Sequence, residues 1–545
     1  MEEKNIYKLS NTQRNIWLVD QRFSNTNVNN IVGELKFNTK IDIETLKKAV
    51  NLLVKKNDAL RIKMEYHDGI LEQYIEEYKK FDIDVLNINN DKEYLQEFSS
   101  YIFNLTKDNL YYFEIIQDDK GKTRLISRFH HIIADAWSLS LVSTEIIDLY
   151  NKLNNKIEIT DENYYSYFKY IESEKQYINS ERYFKDQKYW NEIYEKEPQI
   201  LSFKNDISKI KTKAIRYTKI LNKKISEDIK KFTKENGVSE YCLFLTALQV
   251  YLSKRYNIDD VIIGNPFLNR KNRDEKEAIG IFVNTLPVRL KIDYEISILE
   301  LLKINSKIIR EALKHEKYPY NDILEYVKDK HSINQNLYNV LFSYQNAKDI
   351  TEKDQISYSS EWIFHNNIAD NIEIHIHDRN DTGAYSIVID YQNQLFEENE
   401  IEKLYQAYES ILEQVVKEKI KNVSEIKIIS EKEEKYILKK FNNQKLDLSK
   451  EYKAQNIIKL IDFKRYKNKI AIETKDKSIT YKELEIRIEK LISFLKKNIV
   501  IQENENIGII TDKSIDTLVG ILAILKMNCT YVPIDPQYPI ERKAS

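Results

Sequence analysis

Cysteine, glycine and proline are scarce in this 545-residue chain, and neither sign of charge is in excess. The two cysteines, Cys242 and Cys529, lie far apart and read as small buried residues, not as a disulfide, which fits a reducing compartment. Nine glycines and seven prolines stand against abundant Lys, Asn, Ile and Tyr, a coding bias without functional content. The 85 Lys and Arg are matched by 86 Asp and Glu, with the signs interspersed. That balance provides no basic field for a nucleic-acid partner. The opening Met1-Glu2-Glu3-Lys4-Asn5 lacks an apolar signal core. The longest apolar run, Leu518 to Leu525, is too short to span a bilayer. A Gly/Ser/Thr-rich loop able to hold ATP phosphates is absent too. A soluble, cytoplasmic protein is expected, and the length predicts ~3–4 structural units.

What is present centres on Arg128-Phe129-His130-His131-Ile132-Ile133-Ala134-Asp135-Ala136-Trp137-Ser138. The β-branched and apolar run Thr123 to Phe129 predicts a strand. Leu139, Val142, Ile146, Leu149 and Tyr150 recur at helical spacing after it. Ser138 is the expected N-cap of that helix. Strand side chains alternate, so His130 and His131 should point to opposite faces, one toward a site and one packed behind it. Asp135 is placed to fix the loop or orient an imidazole, the side chain best suited to moving protons near neutral pH. Alone, the pattern also fits packing histidines beside a loop aspartate. A zinc site is disfavoured, because adjacent strand histidines diverge and the other histidines lack ligand spacing.

His130-His131-x-x-x-Asp135-x-x-Ser138 resembles the active-site signature of condensation domains of nonribosomal peptide synthetases, which are chloramphenicol-acetyltransferase-like acyltransferases. Leu9-Ser10-Asn11-Thr12-Gln13-Arg14-Asn15-Ile16-Trp17 resembles the family's opening motif. Asn57-Asp58-Ala59-Leu60-Arg61 resembles its His-Glu-x-Leu-Arg segment, with the first two residues changed. Gly264-Asn265-Pro266-Phe267-Leu268-Asn269-Arg270 resembles Gly-x-Pro-x-x-Gly-Arg, with Asn269 for the second glycine. Gly280-Ile281-Phe282-Val283-Asn284-Thr285 matches the family's Gly-x-Phe-Val-Asn-Thr almost residue for residue, and His315 to Tyr320 resembles His-Gln-x-Tyr-Pro-Phe. Further on, Ile479-Thr480-Tyr481-Lys482-Glu483-Leu484 and Tyr531 to Pro539 resemble the first motifs of an adenylation domain. They lie in a β–α–β–α–β alternation typical of an open parallel sheet.

The resemblance implies an α/β fold of two acetyltransferase-like lobes in a V, residues 5–175 and 176–428, with the site in the channel between them. A linker is expected over 429–455, followed by a truncated adenylation portion over 456–545 that should not bind ATP productively. The implied reaction joins a donor acyl or peptidyl thioester to the amine of an aminoacyl thioester. Both are expected on phosphopantetheine arms of partner carrier proteins, within an assembly of other synthetase subunits, and no cofactor or metal is expected on the chain itself. The resemblance assigns catalysis to His131, with His130 and Asp135 holding the loop. Ser138, Arg61, Arg270, Asn284 and Thr285 are expected as channel or structural support. A buried Asp135 requires a cation, and the sequence does not choose between Arg61 and Arg270. Asn284 and Thr285 are expected to line the cleft. His375 and His377 are expected as surface or packing residues. Ala136 departs from the family's usual glycine; it forbids some backbone shapes and adds a methyl group, with activity expected to be retained. The alternative is a non-catalytic platform that docks carriers or a tailoring enzyme.

Overall fold

In the computed structural model the chain divides into two compact units, residues 1–434 and 435–545. The structure describes residues 5–88, 92–159, 165–203, 211–346, 352–353, 356–378, 383–417, 420–429, 431–441, 457–510 and 513–538.

The first unit contains two six-stranded sheets. The first sheet runs Glu352–Lys353, Ile356–Trp362, Asn30–Phe37, Thr123–His130, Tyr111–Gln117, Val85–Asn87. Two helices cover one face of this sheet. In Ile43–Lys56, capped by Asp42 on the Thr45 N–H, the residues Leu46, Ala49, Val50, Leu53 and Val54 form one buried stripe at helical spacing. That stripe shares a core with Val142, Ile146 and Leu149 of Ala136–Asn154. The helix Asn11–Arg22 begins on a capping box in which Ser10 and Gln13 satisfy each other's backbone N–H groups.

The second sheet runs Asn284–Lys291, Asp260–Phe267, Val340–Gln345, Ile372–His377, Ser386–Gln392, Ala214–Ile220. Its core is closed by Glu240–Tyr256, buried along most of its length, with Ile298–Lys314 and Glu398–Val416. The strand Ile372–His377 shows the two-residue period: Ile372, Ile374 and Ile376 are buried in that core, and Glu373, His375 and His377 take the other face. Cys242 and Cys529 are free and buried, as expected.

The lobes do not divide cleanly at the predicted boundary of 175/176. Ile356–Trp362, assigned by sequence to the second lobe, pairs antiparallel with Asn30–Phe37 of the first sheet. An alternating strand offered to an open sheet edge satisfies backbone groups that would otherwise be unpaired. Ala278, Ile279, Ile281 and Phe282 likewise join the first-lobe core. The edge strand of the first sheet is short, confined to Val85–Asn87. Before it, side chains take the backbone donors: Asn51 Oδ1 accepts from Phe81 N at 3.1 Å and Asp82 Oδ1 from Ile83 N at 2.9 Å.

In the second unit, Ile470–Glu473 pairs antiparallel with Ser478–Thr480, and Asn506–Ile510 pairs parallel with Thr530–Ile534. The helices Tyr481–Asn498 and Ile515–Lys526 close a small core through Leu484, Ile488, Val519, Ala523 and Ile524. The predicted β–α–β–α–β alternation is present, while Ile470, Phe494, Val500 and Ile510 remain exposed. Of the predicted linker, Glu431–Tyr436 is helical and Ile437–Phe441 continues as a π-turn. Residues 442–456 and Pro539 lie outside the described residues. Among the described residues, no helix is long and apolar enough to cross a membrane.

Candidate active site

The strand Thr123–His130 delivers both histidines to the end of the first sheet. The His130 N–H donates to the Leu110 carbonyl and the His131 N–H to the Asn29 carbonyl, each at 2.8 Å and on opposite sides. His130 is buried, 4 % exposed, with its ring edge-on to Phe103 at 5.8 Å. Its Nδ1 accepts from Ile132 N at 3.2 Å, which leaves the proton on Nε2, 3.2 Å from Asp20 Oδ2. This ring is the one packed behind. His131 retains partial exposure, and its Nδ1 is enclosed without a hydrogen-bond partner. Burial pulls the His131 imidazole below its ordinary value, against weaker opposition from the backbone and the Asp135 charge. A neutral ring near physiological pH is the result.

Asp135, not Ser138, is the N-cap of Ala136–Asn154: its Oδ1 accepts from Ser138 N at 2.8 Å. A short capping carboxylate reaches that first-turn amide from the position just before the helix begins. Ala136 is then the first helical residue and is not among the described residues with positive φ, so alanine takes the place of the family's glycine without a left-handed backbone.

Asp135 and Arg270 are both fully buried and directly paired, with Arg270 Nη2 3.0 Å from Oδ1 and 3.1 Å from Oδ2. Oδ2 also accepts from the amides of Phe282 and Val283, at 3.0 and 3.3 Å. Arg270 Nη1 donates to the carbonyls of Glu275 and Ala278, both at 2.5 Å, and the guanidinium lies over the Phe282 ring at 4.0 Å. Ser138 Oγ sits 2.9 Å from Asp135 Oδ1 and 2.7 Å from the Gly280 carbonyl, and accepts from Gly280 N at 3.1 Å. Its single proton serves one of the two acceptors at a time. The knot tolerates its buried charges because nearly every polar position is filled. Gly280 is required there, since a Cβ would collide with the Tyr167 ring, whose hydroxyl donates to the Ile281 carbonyl at 2.8 Å.

Arg61 is not the partner of Asp135; its Nη1 donates to the Glu76 carbonyl at 2.8 Å. Asn269 occupies a left-handed conformation (φ 52°), which asparagine tolerates where the family motif has glycine. Asn284 is buried and holds the loop before Pro319 through the carbonyls of Glu316 and Tyr318, at 2.8 and 2.9 Å. Its Nδ2 is thus engaged in supporting that loop. Thr285, next in the strand and half-buried, pairs with Pro266.

Other polar groups were not expected. Arg216 forms a two-point pair with Asp390 at 2.8 and 2.7 Å. His375, expected as a surface or packing residue, lies 3.6 Å from Asp390 and 3.5 Å from Glu373, and its Nδ1 is 2.7 Å from Ser343 Oγ. Burial opposes charge on this ring, but the two carboxylates outweigh it and raise it to about 9. The only sequence signal was alternation, which put Glu373, His375 and His377 on one face; Asp390 and Ser343 come from the neighbouring strands.

A family model described as "Condensation domain" matches residues 3–438, and one described as "AMP-binding enzyme" matches 462–544. A plipastatin synthase chain of Bacillus subtilis (strain 168) is 28 % identical over 98 % of this chain and 21 % of its own length. Surfactin synthase subunit 1 of the same organism is 27 % identical over 99 % and 15 %. The chain thus spans about a fifth or less of these relatives. The first condensation domain of the calcium-dependent antibiotic synthetase, solved with a substrate analogue, superposes with a TM-score of 0.69 at 14 % identity, covering 78 % of this chain and 99 % of that one. A four-domain nonribosomal peptide synthetase bound to AMP and glycine gives 0.68 at 18 % identity, covering 99 % of this chain and 42 % of that one. With its histidine motif at a strand end and its aspartate clamped by a buried arginine, the chain belongs to the condensation-domain family of nonribosomal peptide synthetases, followed by an AMP-binding segment.

Proposed function

We propose that the first unit forms an amide bond between a donor acyl or peptidyl thioester and the amine of an aminoacyl thioester, each on the phosphopantetheine arm of a carrier protein. The observation that carries this reading is His131, a partly exposed imidazole placed at the end of the strand Thr123–His130 and pulled below its ordinary value by burial. The acceptor nitrogen attacks the donor carbonyl carbon, and the carbon–sulfur bond breaks. His131 takes the proton that nitrogen sheds and returns it to the departing sulfur. Holding two tethered substrates together supplies much of the acceleration. His130 and Asp135 fix the loop, Arg270 and Ser138 clamp it to the second lobe's 270–283 segment, and Asn284 supports the neighbouring loop. Donor and acceptor peptidyl carrier proteins, within an assembly of other synthetase subunits, are the partners this reading requires. Intact-protein mass spectrometry of separately loaded donor and acceptor carriers tests it. Transfer of the donor mass onto the acceptor carrier is expected. Carriers that bind without transfer, across several donor types, would point instead to a docking platform.

A further inference from the structure

The strand that carries the histidines ends on a rung that its own sheet does not secure. Asn30–Phe37 pairs antiparallel with Thr123–His130 in a register that sets Asn30 opposite His130. The bond from the His131 N–H to the Asn29 carbonyl, at 2.8 Å, lies one residue beyond that last pair. Asn29 belongs to a turn in which Asn30 N donates to the Asn27 carbonyl at 2.9 Å, and a terminal rung carried on a turn frays unless something else holds it. The His131 ring depends on this rung. Its Nδ1 has no hydrogen-bond partner, so no bond at that nitrogen fixes the ring, and its direction follows its backbone and its packing.

The helix Asn11–Arg22 supplies the hold. Gln13, Ile16 and Asp20 recur at helical spacing along one side of it, spanning about 10 Å. Gln13 Nε2 donates to the Ile132 carbonyl at 3.2 Å. The buried Asn29 donates from Nδ2 to the Ile16 carbonyl at 3.1 Å and to Asp20 Oδ1 at 2.5 Å, which uses both hydrogens of its amide. The other carboxylate oxygen, Oδ2, is enclosed, and His130 Nε2 stands 3.2 Å from it without completing a hydrogen bond. Two donors therefore converge on Asp20, and a carboxylate offers them two acceptors and no donor.

We propose that Asp20 is a positioning residue for His131: it grips the Asn29 side chain and so fixes the carbonyl that receives the His131 N–H. This rests on His131 being the group that handles the proton. Asp20→Asn keeps the shape and exchanges one acceptor for a donor. Turned one way, the new amide meets the Asn29 amide donor against donor; turned the other way, it meets the His130 ring nitrogen with its own N–H. The bond that remains is no longer charge-assisted. The grip on Asn29 loosens, the rung frays, and the imidazole is held less often in the direction that meets the acceptor nitrogen.

Two readouts on the full chain separate positioning from plain structural support. The chain has eight histidines, so 15N-histidine labelling gives few backbone signals, with His131 assigned by its loss in His131→Gln. Hydrogen exchange at the His131 amide is expected to speed up about tenfold in Asp20→Asn, the worth of one hydrogen bond. The His130 amide, held by the Leu110 carbonyl, should exchange as in the wild type. An equal change at both amides, or none at His131, would overturn the proposal. The single-turnover rate of amide formation should fall about tenfold in Asp20→Asn, and by no further factor when the same change is made in His131→Ala. The same loss in both backgrounds, or none in either, would overturn it as well. If Asp20→Asn does not fold, Asn29→Ser, which keeps the carbonyl and removes the amide that anchors it, is read in the same way. Exchange does not depend on turnover: a wild type that makes no product would sink the proposed function, while the His131 amide would still decide whether Asp20 holds it.

Discussion

The two ends of the histidine motif are built on opposite terms. At Asp135 every lone-pair direction has a partner: the Arg270 guanidinium, the Ser138 amide and hydroxyl, and the Phe282 and Val283 amides. Four residues earlier, His131 has an enclosed nitrogen with no partner and a ring edge left partly exposed. A satisfied buried ion pair holds shape and resists change. An unsatisfied imidazole, shifted by burial, is poised to exchange a proton. The same short sequence thus supplies a fixed anchor and a reactive group, and the anchor makes the reactive group's position reproducible.

That contrast is broken most severely at the anchor. Arg270→Met leaves Asp135 buried without its cation, and the first unit should lose about 3–5 kcal/mol of stability by urea unfolding. A loss confined to activity, with an unchanged midpoint, would mean that the pair is not structural.

A second test uses the charged row of the second sheet. The folded-state pKa of His375 is raised to about 9, above the unfolded value near 6.5. Its contribution is therefore fully present below pH 6.5 and lost as pH rises through 9. The stability gap between wild type and His375→Gln should be up to about 3 kcal/mol at pH 6 and should close by pH 9.5, read from urea midpoints. A gap that widens with pH would reverse the assignment.

The smallest effect is expected at Ala136. Because it begins the helix without a left-handed backbone, Ala136→Gly should change stability by less than about 1 kcal/mol, with condensation turnover within about twofold of wild type. A large gain in turnover would show that the methyl group obstructs the site.

Much of this was legible in the sequence because it is written locally. The strand–loop–helix around His130 and His131 follows from a change of period, from two residues to three or four, within a single stretch. The buried face of Ile43–Lys56 is equally local, since its five apolar residues recur at helical spacing within one stretch. Misplacing the cap by three residues is a local error of a different kind: serine and aspartate are both good caps, and only the fold shows which one precedes the first helical residue. The choice of Arg270 over Arg61 was not legible, since it depends on two segments 135 residues apart meeting. The crossover of Ile356–Trp362 into the first sheet was hidden for the same reason: alternation predicts a strand and says nothing about which edge receives it. Arg216 and Asp390 lie on strands 174 residues apart in the chain with no shared motif, so their pairing appears only in the folded chain.

The most direct test of the division between anchor and reactive group is the single-turnover rate of amide formation by His131→Ala, with loaded carriers, alongside its urea midpoint. The account predicts a rate loss of about 10²–10⁴-fold, the usual worth of a general acid–base group, with the midpoint little changed. Product formed at the wild-type rate would contradict it and move the chemistry to proximity alone or to another group.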